Sequence, residues 1–110
     1  MKIPNIGNMG NLMKQAQQFQ TKMNKLQEEL GEQTVDASSG GGMVSVVVNG
    51  RQELLSISID KEVINPEDPD MLQDLIMAAV NDAINRSKAM VNDGMSELTK
   101  GINIPGITSF

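Results

Sequence analysis

The chain has 110 residues, only two of which are aromatic, and it contains no cysteine, histidine, tryptophan or tyrosine. This length corresponds to a single domain over residues 1–110. The composition excludes disulfides, thiolate or imidazole metal sites and every catalytic mechanism that needs a Cys, His or Tyr side chain. A net charge of −5 argues by itself against a polyanionic partner, because the summed field repels phosphate.

No segment of the sequence has the pattern of a membrane or export signal. Residues 1–13 lack the apolar core of a signal peptide, and no stretch approaches the ~18 apolar residues that a transmembrane helix needs. We therefore expect a soluble cytoplasmic protein with no membrane partner.

The first predicted element is a helix over residues 9–30. Its apolar residues recur at spacings of three and four and form a heptad seam: Met9, Leu12, Ala16, Phe19, Met23, Leu26 and Leu30. Gly31 marks the predicted end. The seam needs an apolar partner along its length, which is either a helix of a second chain or the later helix of this chain.

Two alternating apolar runs, residues 44–48 and 55–59, flank Asn49-Gly50. Asn-Gly in this setting predicts a two-residue type I′ turn, because both central residues of that turn need a positive φ. The turn would pair Val48 with Arg51, Val46 with Glu53 and Val44 with Leu55, with the apolar residues of both strands on one face. Residues 34–37 are predicted as a third strand.

The connector between these strands, Gly40-Gly41-Gly42, does not have the pattern of a phosphate-binding loop. It lacks the Gly-Lys-Ser/Thr sequence of a P-loop, and a strand follows it where a P-loop would have a helix. A flexible connector is the favoured interpretation.

A second helix is predicted over residues 70–100, with Asp68 as N-cap and Pro69 at the first helical position. Its apolar stripe is wide, which indicates burial on two sides. Gly94 is expected to interrupt this stripe, and Gly101 to end the helix. The acids around its start lack the spacing of a calcium loop and fit the positive end of a helix dipole. No metal or cofactor is expected. Residues 1–8 and 102–110 are predicted to be flexible tails.

Charge is segregated along the chain. Residues 1–27 carry four lysines and no acid, whereas residues 53–82 carry eight acids and Lys61 as the single base. On a helix, Lys14 and Lys25 lie about 20° apart, with Lys22 within a further ~60°, all pointing away from the seam. Lysine charges among amide side chains suit phosphate oxygens. The alternative is an ordinary solvated face on which Lys25 pairs with Glu28 or Glu29.

Three blocks of the sequence resemble the YbaB/EbfC family of bacterial nucleoid-associated proteins. Residues 11–18 and 23–30 resemble its opening helix, residues 41–46 with Asn49-Gly50 its hairpin, and residues 74–83 its closing helix. The resemblance implies an α+β fold, an α-β-β-β-α protomer with long N- and C-terminal helices on a small antiparallel sheet. It also implies a homodimer that binds duplex DNA in the nucleoid with low sequence specificity, without enzymatic activity, cofactor or small-molecule substrate.

Within the matched first block, Lys14 is the basic residue that fits this function, and Lys22 and Lys25 join it by helical geometry. Weaker candidates for DNA binding are Arg51 at the hairpin tip and Arg86 and Lys88 on the last helix; Arg86 can instead pair with Asp82 or Asp93. Because the chain offers few aromatic side chains for stacking on single strands, the expected ligand is the duplex backbone. Two alternatives are a protein–protein interaction module with an acidic surface and no DNA affinity, and a carboxylate enzyme.

Overall fold

A computed structural model describes residues 6–100 of the protein, and the side chains of residues 9–98. Helix α1 (Ile6–Glu32) is followed by strands β1 (Thr34–Ser39), β2 (Val44–Asn49) and β3 (Leu54–Ile59) and by helix α2 (Pro69–Lys100). The strands form one antiparallel sheet in the order β1-β2-β3. The predicted α+β arrangement is therefore confirmed.

The ends of the chain differ from the prediction in one respect. Residues 6–8, which were predicted to belong to a flexible tail, are part of α1. The rest of the two predicted tails, and the predicted helix stop at Gly101, lie outside the described residues.

The core lies between one face of the sheet and α2. Val44, Val46 and Val48 on the central strand are buried completely or nearly so, and they pack against Ala79 and Ala83 of α2. Alternation places the three valines on one face of β2, while the two alanines lie four residues apart on one face of α2. Their small side chains let the helix axis approach the sheet closely.

Helix α2 begins as the sequence predicts. The Oδ1 of Asp68 accepts a hydrogen bond from the backbone N–H of Met71 at 3.3 Å, and Pro69 occupies the first helical position. The helix runs through Gly94 to Lys100, as predicted for residues 70–100. Gly94 makes room for another helix: a Cβ added there would lie 2.5 Å from a methyl carbon of Leu30.

The predicted two-residue hairpin turn is wrong. Asn49 N donates to Glu53 O, and Gln52 N donates to Asn49 O, both at 3.0 Å, so the loop holds three residues. The positive φ falls on Gln52 (59°) and not on Gly50, as in a type I turn followed by a left-handed residue.

The side chain of Asn49 explains the longer loop, because its Oδ1 accepts from the backbone N–H groups of Arg51 (2.9 Å) and Glu53 (3.0 Å). Gly50 is required for a different reason, since a Cβ there would overlap the backbone carbonyl of Leu30.

The longer loop changes the strand register. Val44 pairs with Ile59 and Val46 with Ile57, whereas the prediction paired Val44 with Leu55. For these pairs the shift is four residues, and an even shift keeps Ile57 and Ile59 on their predicted side of the sheet. A bulge then changes the register between Val47 and Val48, so that Val48 pairs with Leu54, three residues beyond the predicted Arg51.

The three-glycine connector is an ordered turn. Gly40, Gly41 and Gly42 all have positive φ, from 59° to 94°, which only glycine adopts without strain. The preceding Ser39 donates a hydrogen bond of 2.6 Å to the carbonyl of Leu75. This corrects the interpretation of the segment as a flexible connector, because the turn fastens the end of β1 to α2.

Both helices leave the sheet at the same end. Helix α2 crosses the sheet from Ser39, near Leu75, to Asn49, where the buried Ser87 donates to the Asn49 carbonyl at 2.6 Å. It then passes Leu30 at Gly94, so its last turns run antiparallel to the end of α1. This confirms part of the predicted seam partner: the later helix of the same chain covers the end of the seam nearest the sheet.

Candidate nucleic-acid interface

The basic face of α1 consists of side chains that project into solvent. Lys14, Lys22 and Lys25 are all exposed, and together with residues between them they follow helical spacing along one side of the helix. Lys14, Gln17, Gln18, Thr21 and Lys22 line a shallow open depression on this side. We call Lys14, Lys22, Lys25, Gln17, Gln18 and Thr21 the lysine face.

No carboxylate neutralises the lysine face within the described side chains. Among residues 9–98, the one salt bridge joins Arg86 to Asp82. Lys25 makes no ion pair with Glu28 or Glu29 in this set, although both lie at helical spacing from it. The predicted alternative pairing of Lys25 with Glu28 or Glu29 is therefore absent among the described side chains, and the three lysines are exposed to solvent.

The polar groups between the lysines are suited to the same ligand as the ammonium groups. Amide N–H groups of Gln17 and Gln18 are able to donate hydrogen bonds to phosphate oxygens, as ammonium groups such as those of Lys14 and Lys22 also are. The hydroxyl of Thr21 donates to the Gln17 carbonyl at 2.9 Å, and its oxygen keeps acceptor capacity for water or an amide. The sequence analysis did not identify Gln17 and Thr21. Their spacing of three and seven residues from Lys14 would have placed them on the same side of the helix.

The other basic candidates are distributed over different parts of the surface. Arg51 is exposed, and its side chain lies at the C-terminal end of α1, where its guanidinium carbon would be 3.1 Å from a Cβ on Gly31. A cation is favoured at this negative end of the helix dipole. By helical geometry Gly31 faces about 120° away from Lys25, so Arg51 is not aligned with the lysine face.

Arg86 is engaged within the fold. Its Nε lies 3.2 Å from Asp82 Oδ2, and its Nη1 donates to the Asp36 carbonyl at 3.3 Å. The predicted pairing with Asp82 is thus present, and the guanidinium links α2 to β1. Lys88 is exposed on α2, about 160° around the helix from Arg86, so these two residues do not form one patch.

A second uncovered surface is apolar and belongs to β3. Leu55 and Ile57 are 54% and 43% exposed, although Ile57 pairs with the buried Val46. Helix α2 packs over β1 and β2 and leaves this edge strand open. On the outer side of α2, Met77 is 60% exposed. Apolar surface on an unpaired edge strand is typical of an association site.

Two other kinds of site receive no support in the described chain. Across residues 9–98, no group of three or more carboxylates lies close enough to hold a metal ion. Neither α1 nor α2, over the residues described, combines the length and apolar character needed to cross a bilayer.

Comparison with known proteins agrees with the resemblance noted from the sequence. The family model described as "YbaB/EbfC DNA-binding family" matches residues 5–102. A nucleoid-associated protein of Syntrophobacter fumaroxidans is 55% identical over 97 residues, covering 88% of each chain. A nucleoid-associated protein of Moorella thermoacetica is 54% identical over 101 residues, covering 92% of this chain and 97% of its own.

A solved structure shares the fold. The crystal structure of an uncharacterized protein, HP0035 from Helicobacter pylori, superimposes with a TM-score of 0.57 at 30% identity, covering 76% of this chain and 93% of that one. The family match spans α1, the whole sheet and α2. The chain belongs to the YbaB/EbfC DNA-binding family of nucleoid-associated proteins.

Proposed function

We propose that this protein is a homodimeric, non-enzymatic component of the cytoplasmic nucleoid that binds duplex DNA through its phosphates with low sequence specificity. The observation that carries the proposal is the lysine face, whose three ammonium groups are exposed and make no ion pair among the described side chains. Lys14, Lys22 and Lys25 are the residues expected to contact phosphate. Arg51 and Lys88 are assigned secondary roles, and Arg86 a structural one.

The chemistry of the face favours backbone contacts over base readout. Lysine is a compact point charge on a flexible stem and lacks the rigid planar fork with which arginine recognises its partners. Single-strand binding is disfavoured because Phe19, the one aromatic side chain in the described part, is half-buried and lies on the seam. Binding of this kind positions the protein on a duplex without selecting its sequence.

The homodimer is proposed to form through the uncovered strip of β3. Leu55 and Ile57 extend the apolar face that α2 covers elsewhere in the sheet. A second copy presents the same strip, and also Met77 on the outer side of its α2, so it can supply the missing apolar layer. A dimer doubles the number of lysine faces available to one duplex.

The amino-acid composition and the family of the chain support the proposal that the protein is not an enzyme. The chain has no Cys, His or Tyr side chain to act as nucleophile or general base. The family is named for DNA binding, and the curated relatives are named nucleoid-associated proteins.

The decisive experiment is a salt series of duplex affinity. If a dimer neutralises about four to six phosphates, the logarithm of the affinity should fall with the logarithm of salt concentration at a slope of about −4 to −5. Duplexes of unrelated sequence should give the same slope and similar affinities. No binding at low salt would remove the proposal and leave the protein-interaction module as the better interpretation.

A further inference from the structure

We propose that the free end of α1 is a self-association surface that joins neighbouring dimers on DNA. We define the distal seam as Met9, Leu12, Ala16 and Phe19. In this proposal it pairs with the distal seam of another copy once both lysine faces are bound to phosphate. The inference rests on the proposed DNA binding, and it adds a protein contact that makes binding cooperative.

The first step is the change in burial along one continuous seam. Leu30, at the end near the sheet, is 4% exposed and packs against Gly94. Farther along the helix Met23 and Leu26 are half-buried, whereas Met9 and Leu12 are 57% and 62% exposed. Within the described residues, the seam side chains near the sheet therefore pack against the same chain, whereas those at the other end of α1 are exposed to solvent.

The geometry of α2 accounts for this change. From Gly94, opposite Leu30, the described part of α2 continues for six residues, or about 9 Å. Because the two helices run antiparallel, it ends beside residue 24 of α1. The distal seam begins about five residues beyond that point, so among residues 6–100 α2 does not reach it.

A second copy is the occupant that the pattern favours. Apolar residues at alternating spacings of three and four are the arrangement with which two helices interlock. Two identical distal seams are complementary in length and residue type. The contact would continue the α1–α2 packing already formed by the same seam closer to the sheet.

The lysines do not oppose this pairing. By helical geometry Lys14 and Lys25 point at least about 150° away from the centre of the seam, and Lys22 about 90° away. Two paired seams therefore leave the two lysine faces on opposite outer sides, so that each contacts a separate segment of one long duplex. Residues 6–27 contain no acid, so the free ends of α1 in two copies repel each other weakly. This repulsion is removed when phosphates neutralise the lysine charges.

The short length of the distal seam makes the contact conditional. It spans about 15 Å, or roughly one and a half heptads, and buries four side chains from each helix. Such a small interface is below the size of stable protein–protein contacts, so free copies should not associate through it. Binding to the same long duplex raises the effective concentration of the copies. The contact between their distal seams then adds to the affinity that the lysine–phosphate contacts provide.

Cross-linking provides the direct test, because the chain has no cysteine of its own. Ala16→Cys places one thiol in the distal seam, and Asn24→Cys places one on an exposed side about 110° from it. Oxidation should join Ala16→Cys copies when a long duplex is present, and not on a duplex that holds a single dimer. The Asn24→Cys protein should remain unlinked in both cases.

Two cross-linking results would overturn the inference. If Ala16→Cys copies at nanomolar concentration cross-link as fast without DNA as they do on long DNA, the seam lies inside the dimer interface. No cross-link on long DNA, with the thiol protected from alkylation in the free protein, would mean that another part of the chain covers the seam.

A second measurement separates this inference from the proposed function. Leu12→Gln combined with Met9→Gln changes two exposed side chains, so the fold should be retained. Affinity for a short duplex should change less than about twofold, while affinity for a long duplex should fall at least about tenfold through lost cooperativity. If the unaltered protein binds no duplex, the proposed function fails. If it binds and the double variant behaves identically on long DNA, the self-association inference alone fails.

Discussion

Leu30 and Gly94 meet where α1 and α2 leave the sheet, and the leucine side chain occupies the space of the missing Cβ. A Cβ on Gly94 would lie 2.5 and 2.8 Å from the two methyl carbons of Leu30. The glycine therefore sets the distance between the helices. The direction in which the lysine face projects depends on this contact, because it fixes α1 against α2.

The Gly94→Ala variant should be less stable than the unaltered protein. Alanine improves helix propensity by about 1 kcal/mol, but overpacking against the buried Leu30 should cost about 1–3 kcal/mol, and the steric cost should dominate. Urea denaturation measures the difference. Gly10→Ala is the matched control: it lies in α1 with open space around it, so it should stabilise the protein slightly. Equal effects of the two changes would contradict the close helix contact.

Asn49→Ala should be one of the most destabilising single changes in the sheet. Asn49 is 6% exposed, and its side chain makes three hydrogen bonds within the hairpin loop. Alanine leaves two backbone N–H groups without their acceptor, which should lower the free energy of unfolding by about 2–4 kcal/mol.

Asn49→Asp combined with Glu53→Gln is the informative control for that loss, because it keeps both bonds accepted by residue 49 and removes the Glu53 carboxylate that would repel the new charge. It should be intermediate in stability between the unaltered protein and Asn49→Ala. An Asn49→Ala protein with unaltered thermal stability would show that the loop is not held by this side chain.

Ser87→Ala tests the contact between α2 and the hairpin. The Ser87 hydroxyl is fully buried and donates to the Asn49 carbonyl at 2.6 Å. Its loss should reduce stability by about 1–2 kcal/mol, measured by thermal or urea unfolding. Ser96→Ala, on an exposed part of the same helix, should change stability by less than about 0.5 kcal/mol.

Neutralising the lysine face should weaken DNA binding uniformly across sequences. In the Lys14→Gln, Lys22→Gln, Lys25→Gln triple variant, the slope of log affinity against log salt should become shallower by about one for each lost phosphate contact. Lys61→Gln is the control, because it also removes one positive charge but lies on the short turn before α2, away from the lysine face. Equal losses from Lys61→Gln would mean that net charge, and not the lysine face, governs binding.

Ile57→Lys should separate the proposed dimer into folded monomers. The side chain is 43% exposed in the single chain, so a lysine there can reach solvent without disturbing the core, whereas burying its charge in an interface is costly. Sedimentation velocity should show half the mass, with the circular dichroism spectrum retained. Ser58→Lys, on the opposite face of the same strand, should leave the mass unchanged; a dimeric Ile57→Lys protein would place the interface elsewhere.

Element type and order could be predicted from the sequence because they depend on local periodicity. The three-four spacing of α1, the alternation around Val46 and the Asp68-Pro69 start of α2 each act within a few residues. The reason for a glycine at position 50 could not be predicted, because the residue is required by a contact with Leu30, twenty residues earlier in the chain, and not by a positive φ. The role of Gly94 was missed for the same reason: its helix propensity is a local property, whereas its packing partner is distant.

For the candidate site, the sequence predicted which lysines share a side of α1 but not which charges would be neutralised. Lys25 has acids at suitable helical spacing and makes no ion pair with them among the described side chains, whereas Arg86 does pair with Asp82. The Asp36 carbonyl fixes the second nitrogen of Arg86, and only the packing of α2 on β1 brings these groups together.

The sheet separates the two charge clusters of the chain in space. The lysine face projects from the hairpin end, while Asp60, Glu62, Glu67 and Asp70 lie around the start of α2 at the other end. This separation makes the charge distribution of the protomer uneven, and the attraction of a polyanion for the lysine face would favour an approach in which the free end of α1 arrives first. An acidic protein can in this way associate rapidly with DNA in a single orientation, and the repulsion from its far end would discourage binding in the reverse one.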